Sequence, residues 1–212
     1  MKKFTNSRSA PAALAAPSAP TRTAIQRPRR GHANEVRLIG GQWKRSKLPV
    51  ADSPGLRPTP DRVRETLFNW LGQDLAGWRV LDAFAGTGVL GFEAASRGAA
   101  QVLLIERDPA LALSLEAVKK RLAAEAVTVL RSDAIAWMLR AAPASLELVL
   151  LDPPFDAGLA SGAVAAAARL LVPSGYLCLE ASEPLAQAPA GLELHRSLRA
   201  GAVNVQLWRA PS

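Results

Sequence analysis

Two stretches of this 212-residue chain place chemically capable side chains at the ends of apolar runs. One is Val80-Leu81-Asp82-Ala83-Phe84-Ala85-Gly86-Thr87-Gly88-Val89-Leu90-Gly91, and the other is Leu151-Asp152-Pro153-Pro154-Phe155. The second sets a carboxylate before two prolines and an aromatic ring. An exocyclic amine on a base is a weak nucleophile, because its lone pair is delocalised into the ring. Acceptors aimed at its two hydrogens, the Asp152 carboxylate and a backbone carbonyl near Pro153, direct that lone pair at an electrophile. They also stabilise the positive charge that develops. Pro153 and Pro154 stiffen the loop carrying these acceptors, and Phe155 offers a face on which a flat base stacks. Reaching such a base in a folded nucleic acid requires splaying it from its stack. A lone Asp-Pro-Pro also serves as a turn ending a buried strand, so its meaning depends on the first stretch.

Gly86, Gly88 and Gly91 satisfy G-x-G-x-x-G at a strand-to-helix turn, and Glu106 follows 20 residues after Gly86. Taken alone this is a dinucleotide fingerprint, so an NAD-binding oxidoreductase is a rival reading. Asp82 argues against it, because a carboxylate there repels a pyrophosphate seated on the helix N-terminus. S-adenosylmethionine has no phosphate and carries a sulfonium and an ammonium, with which Asp82 pairs. The expected cofactor contacts are Asp82, Phe84, Gly86, Gly88, Glu106 on the ribose hydroxyls, and Asp133 on the adenine amine. Asp133 is equally suited to capping the helix that follows it.

Elements able to hold these groups follow from the pattern around them. Strands are expected at Arg79–Phe84, Gln101–Glu106, Ala126–Arg131, Leu146–Leu151 and Gly175–Ala181. Helices are expected at Val89–Arg97, Pro109–Ala123, Ala134–Arg140 and Ala157–Leu171. This alternation calls for an α/β fold with a mostly parallel sheet, and Leu192–Leu198 with Val203–Arg209 adds an antiparallel pair at the end. Such a sheet is the class I methyltransferase arrangement. Ahead of it, Val36–Ile39 and the run ending at Val50 read as a hairpin. Thr59, Pro60 and Asp61 read as N-cap, first helical position and dipole partner of a helix whose apolar face is Val63, Leu67, Phe68 and Leu71 and which Gly72 ends. The expected organisation is an extension over 1–34, a hairpin and helix over 35–75, and a catalytic domain over 76–212.

Charge is concentrated at one end. Up to Arg64 there are 14 Lys/Arg against 3 Asp/Glu, and from Glu65 onward 12 against 15, so the net +8 divides into +11 and −3. A polyanion-binding arm on a near-neutral body accounts for this distribution. Residues 1–34, rich in Ala, Pro, Ser, Thr and Arg, carry too few large apolar side chains to order themselves and read as a disordered tail, with a transit peptide as an alternative. No apolar stretch reaches the roughly 18–20 residues that cross a bilayer. Cys178 is the only cysteine, and His32 and His195 are far apart, so neither a disulfide nor a metal site is expected. A cytoplasmic monomer is the default.

The segments Arg57-Pro-Thr-Pro-Asp-Arg-Val-Arg-Glu-Thr-Leu-Phe-Asn-Trp-Leu71, Asp82 to Gly91, Leu104-Ile-Glu-Arg-Asp108 and Leu151 to Phe155 together resemble the RsmD family, over about residues 35 to 209. Members of that family methylate the N2 amine of guanine 966 (rRNA numbering) of 16S ribosomal RNA. The resemblance implies S-adenosylmethionine as cofactor and 16S rRNA, or a partly assembled small subunit, as partner. It also implies RNA contacts at Arg37, Lys44, Arg45, Arg57, Arg62 and Arg64, each of which is on physical grounds equally a surface charge or an ion-pair member. Trp43 either stacks on a base or anchors the hairpin. A related amine methyltransferase acting on DNA adenine or protein, and a non-catalytic RNA-binding factor, remain alternatives.

Overall fold

Alternating strands and helices joined by short connections leave little choice but a sheet covered on both faces, and the computed structural model has that form. It describes Met1 and residues 35–51, 58–154 and 157–212; the expected extension, Arg57 and Phe155 lie outside the described residues. Strands β1 (Glu35–Arg37) and β2 (Lys47–Pro49) form an antiparallel hairpin with Val36 opposite Leu48, and α1 (Asp61–Trp70) follows. The remaining elements are β3 (Arg79–Asp82), α2 (Val89–Ser96), β4 (Gln101–Glu106), α3 (Pro109–Leu122), β5 (Val127–Arg131), α4 (Ala134–Arg140), β6 (Leu146–Leu151), α5 (Ala157–Ala168), β7 (Leu171–Ala181), β8 (Glu193–Ala200) and β9 (Val203–Arg209).

The seven-stranded sheet has the order β5-β4-β3-β6-β7-β9-β8, parallel as far as β7 and antiparallel beyond it. The chain passes from β3 to β4 on one side and later to β6 on the other, and a crevice opens beyond the carboxyl ends of strands at such a switch. Alternation along the strands separates two cores. Val80, Leu148, Leu150 and Cys178 pack with the hairpin, α1, α2 and α3, whereas Leu81, Val149, Leu151 and Leu179 pack with α4 and α5. The hairpin and α1 therefore complete one face of the sheet.

Docking of the hairpin relies on a missing side chain. The backbone N–H of Gln42 donates to Ser96 O (2.8 Å), Trp43 N–H donates to Ser96 Oγ (2.9 Å), and Ser96 Oγ donates to Gly40 O (2.6 Å). A Cβ on Gly41, at φ +68°, would lie 1.8 Å from Ser96 O, so only glycine allows this approach.

Several boundaries differ from the sequence expectation for physical reasons. Thr59 is not the N-cap of α1: Pro60 occupies that position without a side-chain cap, and the Thr59 hydroxyl donates instead to Glu180 Oε2 at 2.9 Å. The expected helix through Leu171 stops at Ala168, and Leu171 opens β7 opposite Leu146. A continuous apolar run has no periodicity with which to mark that change. β3 ends at Asp82 rather than Phe84, because the chain peels away toward the glycine loop. At the far edge, β8 carries Glu193, His195, Arg196 and Arg199, and its register with β9 shifts between Leu194 and Arg196. No helix among the described residues is long and apolar enough to cross a membrane.

Candidate functional site

The glycine loop leaves β3 and enters α2 with Gly86 at φ +52° and Gly88 at φ +74°, conformations that strain any residue with a Cβ. Its shape is fixed by acids from the strand ends. Gly86 N–H donates to Glu106 Oε2 at 2.9 Å, and Asp108 N–H donates to Glu106 Oε1 at 2.8 Å, so the residue closing β4 ties the loop to the start of α3. Gly91 N–H donates to Asp82 Oδ2 at 2.9 Å, placing a buried carboxylate against the first turn of α2. A Cβ on Gly91 would lie 2.1 Å from Leu104 Cδ2, so the third glycine serves close helix–sheet packing. Phe84 is half-buried against the α4–α5 core. Asp133 caps α4, accepting from Ala136 N–H at 2.7 Å, which is the capping role the sequence left open.

Three acids converge on one face of the sheet. Asp82 pairs in register with Leu150, and Leu150 with Cys178, so Asp82, Asp152 and Glu180 share the parity that faces α1 and α2. Asp82 is 2% exposed, and burial pushes its carboxyl up to about 7, with the Gly91 N–H opposing and Glu106 adding to the rise. Half-buried Asp152 is raised well above the usual carboxylate range, by burial first and then by the Glu180 and Asp82 charges. Glu180 is raised by burial, with the Thr59 hydroxyl opposing. Among the described residues, no ion pair neutralises any of the three. Pro153 is buried and Pro154 exposed beside them. Sequence reasoning missed Glu180 as a site residue. The signal was present, since Leu177-Cys178-Leu179-Glu180 closes an apolar strand with an acid just as Val80-Leu81-Asp82 does.

Asp82→Asn provides a test with opposite effects on fold and ligand. Because its folded pKa lies above the unfolded value, Asp82 contributes stability below about pH 4 that is lost as pH rises through about 7. That loss approaches about 4 kcal/mol. Asparagine still accepts from Gly91 N–H. The variant is therefore expected to melt higher than wild type, with a gap that widens from pH 5 to pH 8, while its affinity for a cationic ligand falls. Melting curves and calorimetric titrations across this range would show it, and a pH-independent gap would contradict the burial argument.

The basic residues divide sharply. Arg37, Lys44, Arg45 and Arg62 are exposed. Arg64 is not: it is 0% exposed, which overturns its expected place as an RNA contact. Its Nη2 donates to Asp61 Oδ1 (2.7 Å) and Arg37 O (2.8 Å), its Nε to Thr59 O (3.1 Å), and its Nη1 to Glu93 Oε2 (3.4 Å). Glu93, equally buried, also accepts from Ile39 N–H (2.8 Å) and Arg97 Nε (3.0 Å). The signal lay in the pattern, because position 64 falls within the stripe of Val63, Leu67, Phe68 and Leu71. Trp43 is half-buried against the core, its anchoring role, and the tip bearing Lys44 and Arg45 sits at the end of α2 remote from the glycine loop. Arg62, in the first turn of α1, is close in sequence to Thr59 and so to the acids.

A family model described as Conserved hypothetical protein 95 matches residues 36–209. Ribosomal RNA small subunit methyltransferase D of Escherichia coli strain K12 is 40% identical over 193 residues, an overlap covering 87% of this chain and 95% of that protein. The chain belongs to the RsmD family. Like the members of this family, it is a methyltransferase with a class I fold. The solved structure of Escherichia coli yhhF is similar, with a TM-score of 0.75 and 38% identity over 84% of this chain and 98% of that one. The 16S rRNA N2 G1207 methyltransferase RsmC of Thermus thermophilus, solved with AdoMet and guanosine, has a TM-score of 0.63 and 26% identity over 84% of this chain and 50% of that one.

Proposed function

We propose that this RsmD-family member transfers a methyl group from S-adenosylmethionine to the exocyclic N2 amine of a guanine in 16S ribosomal RNA, guanine 966 by the family resemblance. The observation that carries the reading is the group of three acids, Asp82, Asp152 and Glu180, at the carboxyl ends of adjacent strands, with no ion-pair partner among the described residues. Such a site suits a cationic cofactor and a hydrogen-bond-donating amine, and it disfavours a pyrophosphate. Asp82 would hold the cofactor ammonium, Glu106 the ribose hydroxyls, and the uncapped oxygen of Asp133 the adenine amine, with Phe84, Gly86 and Gly88 forming the floor. When bound, S-adenosylmethionine supplies an electrophilic methyl on a sulfonium.

Asp152 accepts from the target amine, orients its lone pair and stabilises the developing charge; Pro153 and Pro154 hold that acceptor in place, and Phe155 stacks on the splayed base. Arg37, Lys44, Arg45, Arg57 and Arg62 would contact the RNA phosphates, Arg62 from the first turn of α1. We place the reaction in the cytoplasm, on a monomeric enzyme. The test is tritiated methyl transfer into 16S rRNA, 30S particles, DNA and protein, followed by nucleoside analysis. N2-methylguanosine from rRNA or particles is expected. Label confined to DNA or protein would retain the methyltransferase and overturn the target.

A further inference from the structure

We infer that Glu180 is a specificity-determining residue, whose free carboxylate oxygen accepts the N1–H of the target guanine while Asp152 accepts from the neighbouring N2 amine. This rests on the guanine-N2 reading above. The geometry comes from the sheet. β6 and β7 run parallel with Leu150 opposite Cys178 and Leu151 opposite Leu179, so the register carries Asp152 to the position beside Glu180, one strand spacing away and on the same face. Glu180 is 6% exposed. Its Oε2 accepts the hydroxyl of Thr59, itself 3% exposed, at 2.9 Å. Among the described residues, nothing donates to Oε1 and no cation pairs with either oxygen.

Enclosing a carboxylate beside a second one is costly, and a purely structural link to Thr59 needs only a glutamine or a serine there. The arrangement matches the Watson–Crick edge of guanine, which presents the N1–H donor next to the N2 amine. Adenine presents its amine next to a bare N1 acceptor, which a carboxylate repels. A base read on this edge after leaving its stack is selected by such pairings, and a site built to bond an N–H rejects an analogue lacking it more strongly than a site selecting on shape. The Thr59 hydroxyl contributes by holding Oε2 as an acceptor against the upward push of burial, leaving Oε1 turned to the substrate.

The experiment uses small-subunit particles reconstituted with rRNA carrying either guanine or 2-aminopurine at the target position. 2-Aminopurine keeps the N2 amine but has an acceptor at N1. Wild type should favour guanine by about 100-fold or more in kcat/KM. Glu180→Gln keeps the size and the acceptor for Thr59, and its amide can donate to N1. It should lose roughly 10- to 100-fold on guanine and shrink the preference over 2-aminopurine to about 10-fold or less, with unchanged affinity for S-adenosylmethionine. Thr59→Val should lower the rate on guanine by a smaller factor. A Glu180→Gln enzyme that keeps the wild-type preference, or that loses both substrates equally, overturns the role of Glu180 alone. Wild type that forms no N2-methylguanosine overturns the underlying reading as well.

Discussion

Replacing Asp152 with alanine is expected to reduce methyl transfer by about 10²- to 10³-fold or more, while changing the affinity for S-adenosylmethionine only a few-fold. The size follows from removing an acceptor that acts where charge develops, in a water-poor site. Asp152→Asn should retain part of the activity, since asparagine still offers one acceptor. The two variants also differ in their response to acid. Burial and the Glu180 and Asp82 charges hold the Asp152 carboxyl well above the usual range, so its ionised form is depleted as pH falls. Wild-type kcat/KM should accordingly rise with pH, with much less of that rise in Asp152→Asn. Single-turnover methylation across pH, with cofactor binding measured in parallel, separates these outcomes. Wild-type rates from Asp152→Ala would remove the amine-activating role.

The second large effect is structural. Arg64→Ala is expected to destabilise the fold by about 3–5 kcal/mol, because it strips one partner from buried Glu93 and leaves the Arg37 and Thr59 carbonyls without their donor. In a domain of this size that is a fall in melting temperature of roughly 10 °C. Arg64→Lys should recover little, since an ammonium cannot reproduce a planar fork spread over four acceptors. Its neighbour supplies the contrast. Arg62 is exposed, so Arg62→Ala should leave stability within about 0.5 kcal/mol and weaken RNA binding in a salt-dependent manner. Thermal melts and filter binding on both variants would distinguish the roles, and equal melting temperatures would refute the assignment of Arg64 to the core.

Much of this was legible in the sequence because the signals were local. Strands β4, β6 and β9 and helix α4 have the expected bounds, where alternation and flanking turns agree. Asp82, Gly86, Gly88 and Glu106 could be placed because a strand end and a tight turn constrain their surroundings. What was not legible depends on partners distant in the chain. Thr59 fits the local grammar of an N-cap, and nothing nearby reveals that its hydroxyl serves Glu180, 121 residues away. The family resemblance grouped Arg64 with the polyanion contacts and left an ion pair as the alternative, because Glu93, its enclosing partner, lies on another helix. The α5–β7 junction was misplaced because leucines and alanines suit a buried helix and a buried strand equally.

One edge of the sheet bears on how the molecule behaves in a crowded solution. A strand with one unpaired side is a template on which a second copy can add its own strand, and long flat apolar edges seed such growth. Here the last strand in the order, β8, interrupts its register between Leu194 and Arg196 and sets Arg196 and Arg199 along its length. Two copies brought edge to edge would have to pair across a broken ladder and strip water from charged side chains. The same strand that completes the hairpin thus disfavours edge-to-edge growth, and exchanging its arginines for valine is expected to raise the propensity to aggregate.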